Sequence, residues 1–92
     1  MSSSNNTNEE NSLTNEIKVD RVIDARGFVS PLPLLRARAI LRKMQPGQVA
    51  KLITTDKRTK MEVHIWGFNM GYKIIKTKEF NDVIEIYILK ES

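Results

Sequence analysis

The order of hydrophobic and polar residues predicts four β-strands. Residues 17–23 alternate apolar and polar side chains, and residues 48–54 are rich in β-forming types. Residues 72–78 and 83–89 have the same character and are joined by the four-residue turn EFND at 79–82. The last two strands are therefore predicted to form an antiparallel hairpin.

A first helix is predicted between the first two strands. It begins at Ser30, a preferred N-cap residue, with Pro31 in the first helical position, where a missing N–H costs nothing. Pro33 still lies in the first turn, and Pro46-Gly47 ends the helix. The apolar side chains form a single core stripe, made of Leu34, Ala37, Ile40, Leu41 and Met44.

A second helix is predicted to start at a capping box, in which Thr59 caps and Glu62 reaches back, and to end at Gly71. Its core stripe consists of Val63, Trp66, Gly67 and Met70. A second apolar row, Met61, Ile65 and Phe68, lies beside that stripe. Either the helix is wedged deeply enough to bury both rows, or the second row is an exposed patch suited to a partner.

The element order βαβαββ predicts an α/β (α+β) two-layer sandwich. A short strand–helix–strand unit implies parallel strands joined by a right-handed crossover, whereas the closing hairpin is antiparallel. The sheet is therefore expected to be mixed and four-stranded, with both helices packed on one of its faces.

Composition divides the chain into a tail and one domain. Residues 1–16 are almost entirely polar and too poor in apolar surface to fold, so they are expected to be a disordered tail preceding a domain at 17–92. No signal peptide or membrane-spanning run is apparent, and a cytoplasmic protein is expected. The net charge is +4, which is compatible with nucleic acid, anionic small molecules or acidic proteins and does not choose among them.

The chain contains no cysteine. This excludes disulfide bonds, thiolate metal sites and thiol catalysis by the chain as written. We expect neither a metal nor a cofactor.

One segment carries a recognisable chemical signature. Residues Asp24 to Pro33 read D-A-R-G-F-V-S-P-L-P, at the end of the first strand and the start of the first helix. The segment resembles the active-site loop of the TusA-like (SirA-like) sulfur carriers, D-x-[RL]-G-x-x-C-P-x-P. Weaker similarities follow in series through residues 17–90, at Met44-Gln45-Pro46-Gly47, at Thr55-Asp56 and at Glu62-Val63-x-x-Trp66.

The resemblance implies a sulfurtransferase-type carrier that relays sulfane sulfur, as a persulfide or thiosulfonate, from a donor protein to an acceptor protein. Such carriers serve tRNA thiolation, cofactor sulfuration and sulfur oxidation. Ser30 stands at the position of the sulfur-bearing cysteine, where the positive end of a helix would favour a thiolate. The supporting loop residues are Asp24, Arg26, Gly27, Pro31 and Pro33. Arg26 either attracts thiosulfate, a similar anionic sulfur compound or a partner's acid, or simply pairs with Asp24.

The serine at position 30 is a central departure from the family pattern. A hydroxyl without an adjacent base stays protonated at neutral pH, and an oxygen atom cannot hold a persulfide. The chain as written is therefore expected to be inactive in sulfur transfer. Two explanations remain open: Ser30 replaces a native cysteine, or serine is natural and the domain is a non-catalytic binding or regulatory module for a protein partner or RNA.

Other functions find less support in the sequence. A serine hydrolase is disfavoured, because there is no G-x-S-x-G elbow and nothing places His64 beside Ser30. Direct nucleic-acid binding is not expected, because aromatic residues are few and do not alternate with basic ones. The candidate surface for donor and acceptor proteins comprises Arg36, Arg38, Met61, Ile65 and Phe68.

Overall fold

The computed structural model describes residues 17–91 and contains the predicted order of elements. The elements are β1 (Arg21–Ala25), α1 (Leu32–Leu41), β2 (Val49–Thr54), α2 (Arg58–Met70), β3 (Tyr72–Phe80) and β4 (Val83–Lys90). Neither helix of this part of the chain is long and apolar enough to cross a membrane. The predicted tail at 1–16 lies outside the described residues.

The four strands form one mixed sheet in the order β1-β2-β4-β3. β1 and β2 are parallel, with Ile23 opposite Leu52, whereas β4 is antiparallel to both of its neighbours, with Ile86 opposite Leu52. The predicted βαβαββ sandwich, with two helices against a four-stranded mixed sheet, is confirmed. Because β1 and β2 are parallel, the loops that follow them leave the sheet at the same edge.

The core lies between the sheet and the two helices. Its sheet side includes Ile23, Leu52, Ile86 and Ile88, each at most 1% exposed. The residues of the predicted α1 stripe are confirmed as core, since Ala37, Leu41 and Met44 are buried and Leu34 and Ile40 pack against them. The predicted end of the helix at Pro46-Gly47 is wrong, because α1 ends at Leu41 and Met44 lies in the turn that follows it. Burying these aliphatic side chains supplies most of the stability of such a small domain.

The predicted core stripe of α2 is wrong at its last member. Val63 is buried and Trp66 packs on the core, but Met70 is 57% exposed. The chain reverses at Gly71, whose left-handed conformation (φ 83°) ends the helix as predicted. Tyr72 then stacks on Trp66 with ring centroids 4.6 Å apart. Tyr72, rather than Met70, thus packs against the core at this end of the helix.

The bounds of β1 and β3 differ from the prediction by two residues or more, and those of β2 and β4 by one residue. β1 begins at Arg21 rather than at residue 17, because its partner strand β2 begins only at Val49 and the ladder pairs Arg21 with Ala50. β3 continues to Phe80, so the turn of the hairpin shrinks to Asn81 and Asp82. Both turn residues have positive φ angles, 51° and 63°, as expected for the two-residue turns that suit the twist of a hairpin.

Candidate functional site

Ser30 lies in the loop between β1 and α1, beside the loop that follows β2. The two loops are joined by hydrogen bonds from the backbone of the first to side chains of the second. The Gly27 N–H donates to Thr55 Oγ1 at 2.9 Å, and the Ser30 N–H donates to Asp56 Oδ2 at 2.5 Å. Gly27 turns the loop, with a φ of 85° that favours glycine. Thr55 and Asp56 therefore hold the loop that presents Ser30.

Asp56 also starts the second helix. Its Oδ1 accepts the Arg58 N–H at 3.0 Å, and its backbone carbonyl accepts the Thr59 N–H at 3.1 Å. The Arg58 guanidinium makes two further bonds to the same carboxylate, of 3.2 and 3.0 Å. These hydrogen bonds from Arg58, followed by the one from the Ser30 N–H, hold the pKa of Asp56 well below its usual value.

The predicted capping box at Thr59 and Glu62 is wrong. The helix begins at Arg58, so Thr59 lies inside it and is fully buried. Within residues 17–91, its hydroxyl has no hydrogen-bond partner. Asp56, three residues earlier, provides the oxygen that caps this end of the helix, and Glu62 is free to face another element.

Ser30 is not the N-cap of α1, which corrects the second capping prediction. The helix begins at Leu32, and no side chain caps it. A capping hydroxyl at position 30 would need the N–H of residue 32 or 33. The Leu32 N–H donates to the Val29 carbonyl at 2.9 Å, and Pro33 has no N–H. The second proline of the signature thus removes a bond that the capping prediction required.

The hydroxyl of Ser30 instead donates a hydrogen bond to Glu62 Oε2 on α2. The other oxygen of that carboxylate, Oε1, is buried and has no hydrogen-bond partner in the described part of the chain. Position 30 therefore faces a carboxylate rather than a set of free backbone N–H groups. Such a carboxylate can accept a proton from the side chain at position 30, but it repels an anion there.

Asp24 and Arg26 pair with each other within the loop. The guanidinium donates from Nε and Nη2 to the carboxylate at 3.0 and 2.8 Å, and both side chains are more than half exposed. These bonds lower the pKa of Asp24 to about 2. Of the two alternatives for Arg26, the structure shows the loop pair, in which the positive charge is already matched.

The second apolar row of α2 is exposed. Met61, Ile65 and Phe68 are 69%, 58% and 89% exposed, so the helix is not wedged deeply enough to bury both rows. Met61 and Ile65 line a shallow concavity together with Glu62, the partner of Ser30. The sequence analysis missed further exposed apolar side chains next to position 30 in the β1–α1 loop and on α1, namely Phe28, Val29, Leu32 and Leu35.

The two arginines of the candidate surface lie over aromatic rings. The guanidinium of Arg36 is 5.1 Å from the centroid of Phe28, and that of Arg38 is 6.0 Å from that of Trp66. Pro31, like Arg36, is exposed, whereas Pro33 is buried under the first turn of α1. His64 is exposed with Nδ1 2.9 Å from the Lys60 carbonyl oxygen, so it is not the hydrogen-bond partner of Ser30.

A comparison with protein families settles the relationship of the chain. A family model described as "Sulfurtransferase TusA" matches residues 21–90. The chain belongs to the TusA family. It is similar to the sulfur carrier protein TusA of Allochromatium vinosum, with 35% identity over 60 residues that cover 65% of this chain and 79% of the relative. It is also similar to TusA of Pseudomonas aeruginosa (strain LESB58), with 28% identity over 61 residues that cover 66% and 77%.

A solved structure agrees with these relatives. The crystal structure of a SirA-like protein from Desulfitobacterium hafniense superposes with a TM-score of 0.70 at 27% identity, and the match covers 78% of this chain and 99% of that one. Membership of the TusA family confirms the resemblance drawn from the loop D-A-R-G-F-V-S-P-L-P. The chain nevertheless contains no cysteine.

Two residues of the site were not predicted to belong to it: Asp56 was noted only as a family similarity, and Glu62 as a family similarity and as part of a capping box. Asp56 and Glu62 provide both side chains that bond to Ser30. One signal could have found Asp56: polar residues at the ends of neighbouring parallel strands converge at one edge of a sheet. No comparable signal exists for Glu62, because its contact depends on how α2 packs beside α1. Within residues 17–91, no cluster of three His, Cys, Asp or Glu side chains is placed to hold a metal.

Proposed function

We propose that this domain is built as a sulfur carrier that relays sulfane sulfur between a donor and an acceptor protein, with residue 30 as the sulfur-bearing position. With serine there, the chain keeps the carrier fold and docking surface but transfers no sulfur. The observation that carries the proposal is the location of Ser30. It is partly exposed in the signature loop of a TusA-family chain, and apolar side chains are exposed on both sides of it.

The chemistry of the side chain explains the expected inactivity. A sulfur relay requires a thiolate that attacks the outer sulfur of a donor persulfide and then holds that sulfur through an S–S bond. The serine oxygen is a poor nucleophile without a strong base and forms no such bond. Its one side-chain partner in the described part of the chain is a carboxylate, with no histidine to complete a hydrolase triad.

Restoring the thiol tests the proposal. The Ser30→Cys variant, incubated with polysulfide or with a protein persulfide, should gain a sulfur adduct that mass spectrometry maps to residue 30. The unsubstituted chain should gain none. Asn69→Cys provides a matched control, because it places an ordinary exposed thiol near the far end of α2. If the Ser30→Cys thiol stays unmodified, or gains sulfur no faster than the Asn69→Cys thiol, the assignment of residue 30 as the sulfur-bearing position is overturned.

A non-catalytic module that binds a protein partner is the second candidate. It is favoured by Met61, Ile65 and Phe68, which no part of the described chain covers. Such a module should bind its partner equally well with serine or cysteine at position 30, and neither form should accept sulfur. A titration with tRNA separates the RNA alternative, for which binding should weaken steeply as the salt concentration rises.

A further inference from the structure

The contact between Ser30 and Glu62 joins two parts of the chain that are far apart in sequence. Glu62 lies on α2 one turn after Arg58 and one turn before Trp66, on the side of the helix that faces position 30. Its Oε2 accepts the hydroxyl of Ser30, while its buried Oε1 has no partner among residues 17–91. A buried carboxylate oxygen without a hydrogen bond lowers the free energy of unfolding, so its presence calls for a functional explanation.

We propose that Glu62 is the proton acceptor for the side chain at position 30. The inference rests on the proposed function, because it assigns to Glu62 the proton that a thiol at that position must release. In the present chain the same carboxylate receives the hydrogen bond of the serine hydroxyl.

The charges around position 30 support this role. Asp56 accepts the Ser30 N–H, but its charge is matched by two bonds from the Arg58 guanidinium. In the β1–α1 loop, Arg26 is matched by Asp24. Glu62 has no salt bridge within the described residues, and the Arg58 guanidinium, which feels the charge of Glu62, is already bound to Asp56.

The first helix brings no competing acid to the site. Its first turn contains no acidic residue, and Arg36 lies over the Phe28 ring on the loop. The unmatched charge at position 30 is therefore the negative charge of Glu62. A neighbouring carboxylate disfavours a thiolate and favours transfer of the proton to itself during attack.

The transfer step balances without an oxidant or reductant. In the Ser30→Cys variant, the sulfur of residue 30 attacks the outer sulfur of the donor's persulfide while its proton moves to Glu62. The S–S bond of the donor breaks as a new S–S bond forms at residue 30. The donor leaves as a thiolate and takes the proton from Glu62, so a thiol and a persulfide have exchanged one sulfur atom.

The thiol pKa in Ser30→Cys reports directly on this contact. It is measured from the pH dependence of alkylation by iodoacetamide and from the ultraviolet absorbance of the thiolate, with and without Glu62→Gln. Removing the carboxylate charge should lower the thiol pKa by about 1 unit and raise the alkylation rate at neutral pH by up to about tenfold. Glu85→Gln, on the opposite face of the sheet and paired with Lys51, should leave the pKa unchanged.

A second variant keeps the test valid if Glu62→Gln fails to fold. Glu62→Asp in the Ser30→Cys background keeps the carboxylate but shortens its side chain by one methylene, which withdraws it from residue 30 and should also lower the thiol pKa. A thiol pKa that is unchanged or raised by Glu62→Gln and by Glu62→Asp would overturn the assignment of Glu62.

Failure of this inference and failure of the proposed function give different results. If the thiol accepts sulfur but its pKa does not respond to Glu62→Gln, then Glu62 is not the proton acceptor, and the proposed function as a sulfur carrier still stands. If the thiol pKa falls in Glu62→Gln but the thiol accepts no sulfur, then the contact between Glu62 and residue 30 is supported and the proposed function as a sulfur carrier is rejected.

Discussion

Replacing Thr59 by valine tests how the second helix begins, and the two accounts of that helix predict opposite signs. In a capping box, the Thr59 hydroxyl would bond to the backbone, and its loss would cost about 1 kcal/mol. In the structure, Thr59 is 0% exposed and its hydroxyl has no partner in the described residues, while Asp56 caps the helix. Losing the hydroxyl should then stabilise the domain.

The magnitude follows from the environment of the hydroxyl. A buried polar group without a partner costs about 1–3 kcal/mol in desolvation. Valine replaces the hydroxyl of Thr59 by a methyl group of similar size, and the two residues have nearly the same helix propensity. We therefore expect a gain of about 1 kcal/mol in the free energy of unfolding. For a domain of this size, that gain raises the melting midpoint by roughly 4–8 °C.

Urea unfolding followed by Trp66 fluorescence measures this change, with an m-value that should not move. Thr55→Val is the matched control, because it removes a hydroxyl that accepts the Gly27 N–H at 2.9 Å. The control should lose about 1 kcal/mol. If Thr59→Val loses as much as Thr55→Val, then Thr59 makes a bond that the structure lacks, and the assignment of the cap to Asp56 is refuted.

Two further predictions concern stability. Lys90→Met should lower the free energy of unfolding by about 1–2 kcal/mol by urea titration, because the ammonium of Lys90 caps the end of α1. It donates, at 2.9, 3.3 and 2.7 Å, to the carbonyls of Leu41, Arg42 and Met44. Lys78→Met, on the exposed face of the same hairpin, should change it by less than about 0.5 kcal/mol; equal losses would contradict the cap. The free energy of unfolding should also decrease as the pH is lowered below 3.8, the ordinary pKa of Asp24 and Asp56. Folding lowers the pKa of both carboxyls, so the unfolded chain binds protons at a higher pH than the folded chain does. Asp56→Asn should flatten that decline in urea midpoints measured between acidic and neutral pH, and an unchanged slope would count against the bonds to Asp56.

The order of the elements could be predicted because it depends on neighbours in the chain. The alternation around Ile23, the stripe from Leu34 to Met44 and the glycine at position 71 all act over a few residues, and the elements they predict are present, although the bounds of β1 and the end of α1 differ. The two capping predictions failed because other groups competed for the same backbone atoms. Pro33 has no N–H to donate in the first turn of α1, and Asp56 accepts the Arg58 N–H at the start of α2, one residue before Thr59.

The sequence by itself determined the order of the elements, the family, and that the chain cannot hold a persulfide. The loop from Asp24 to Pro33 identifies the carrier signature, and the serine within it excludes a persulfide whatever the surrounding structure. These conclusions need no distances, because they rest on local pattern and on which atoms the side chains contain.

Only the tertiary structure decided what surrounds Ser30. Its partners, Asp56 and Glu62, follow it by 26 and 32 residues and reach it through the packing of β2 beside β1 and of α2 beside α1. The same packing left Met61 and Phe68 exposed while it buried Val63, which lies between them on the same helix. Periodicity along a helix shows which side chains share a face, but the neighbouring elements determine which face is covered.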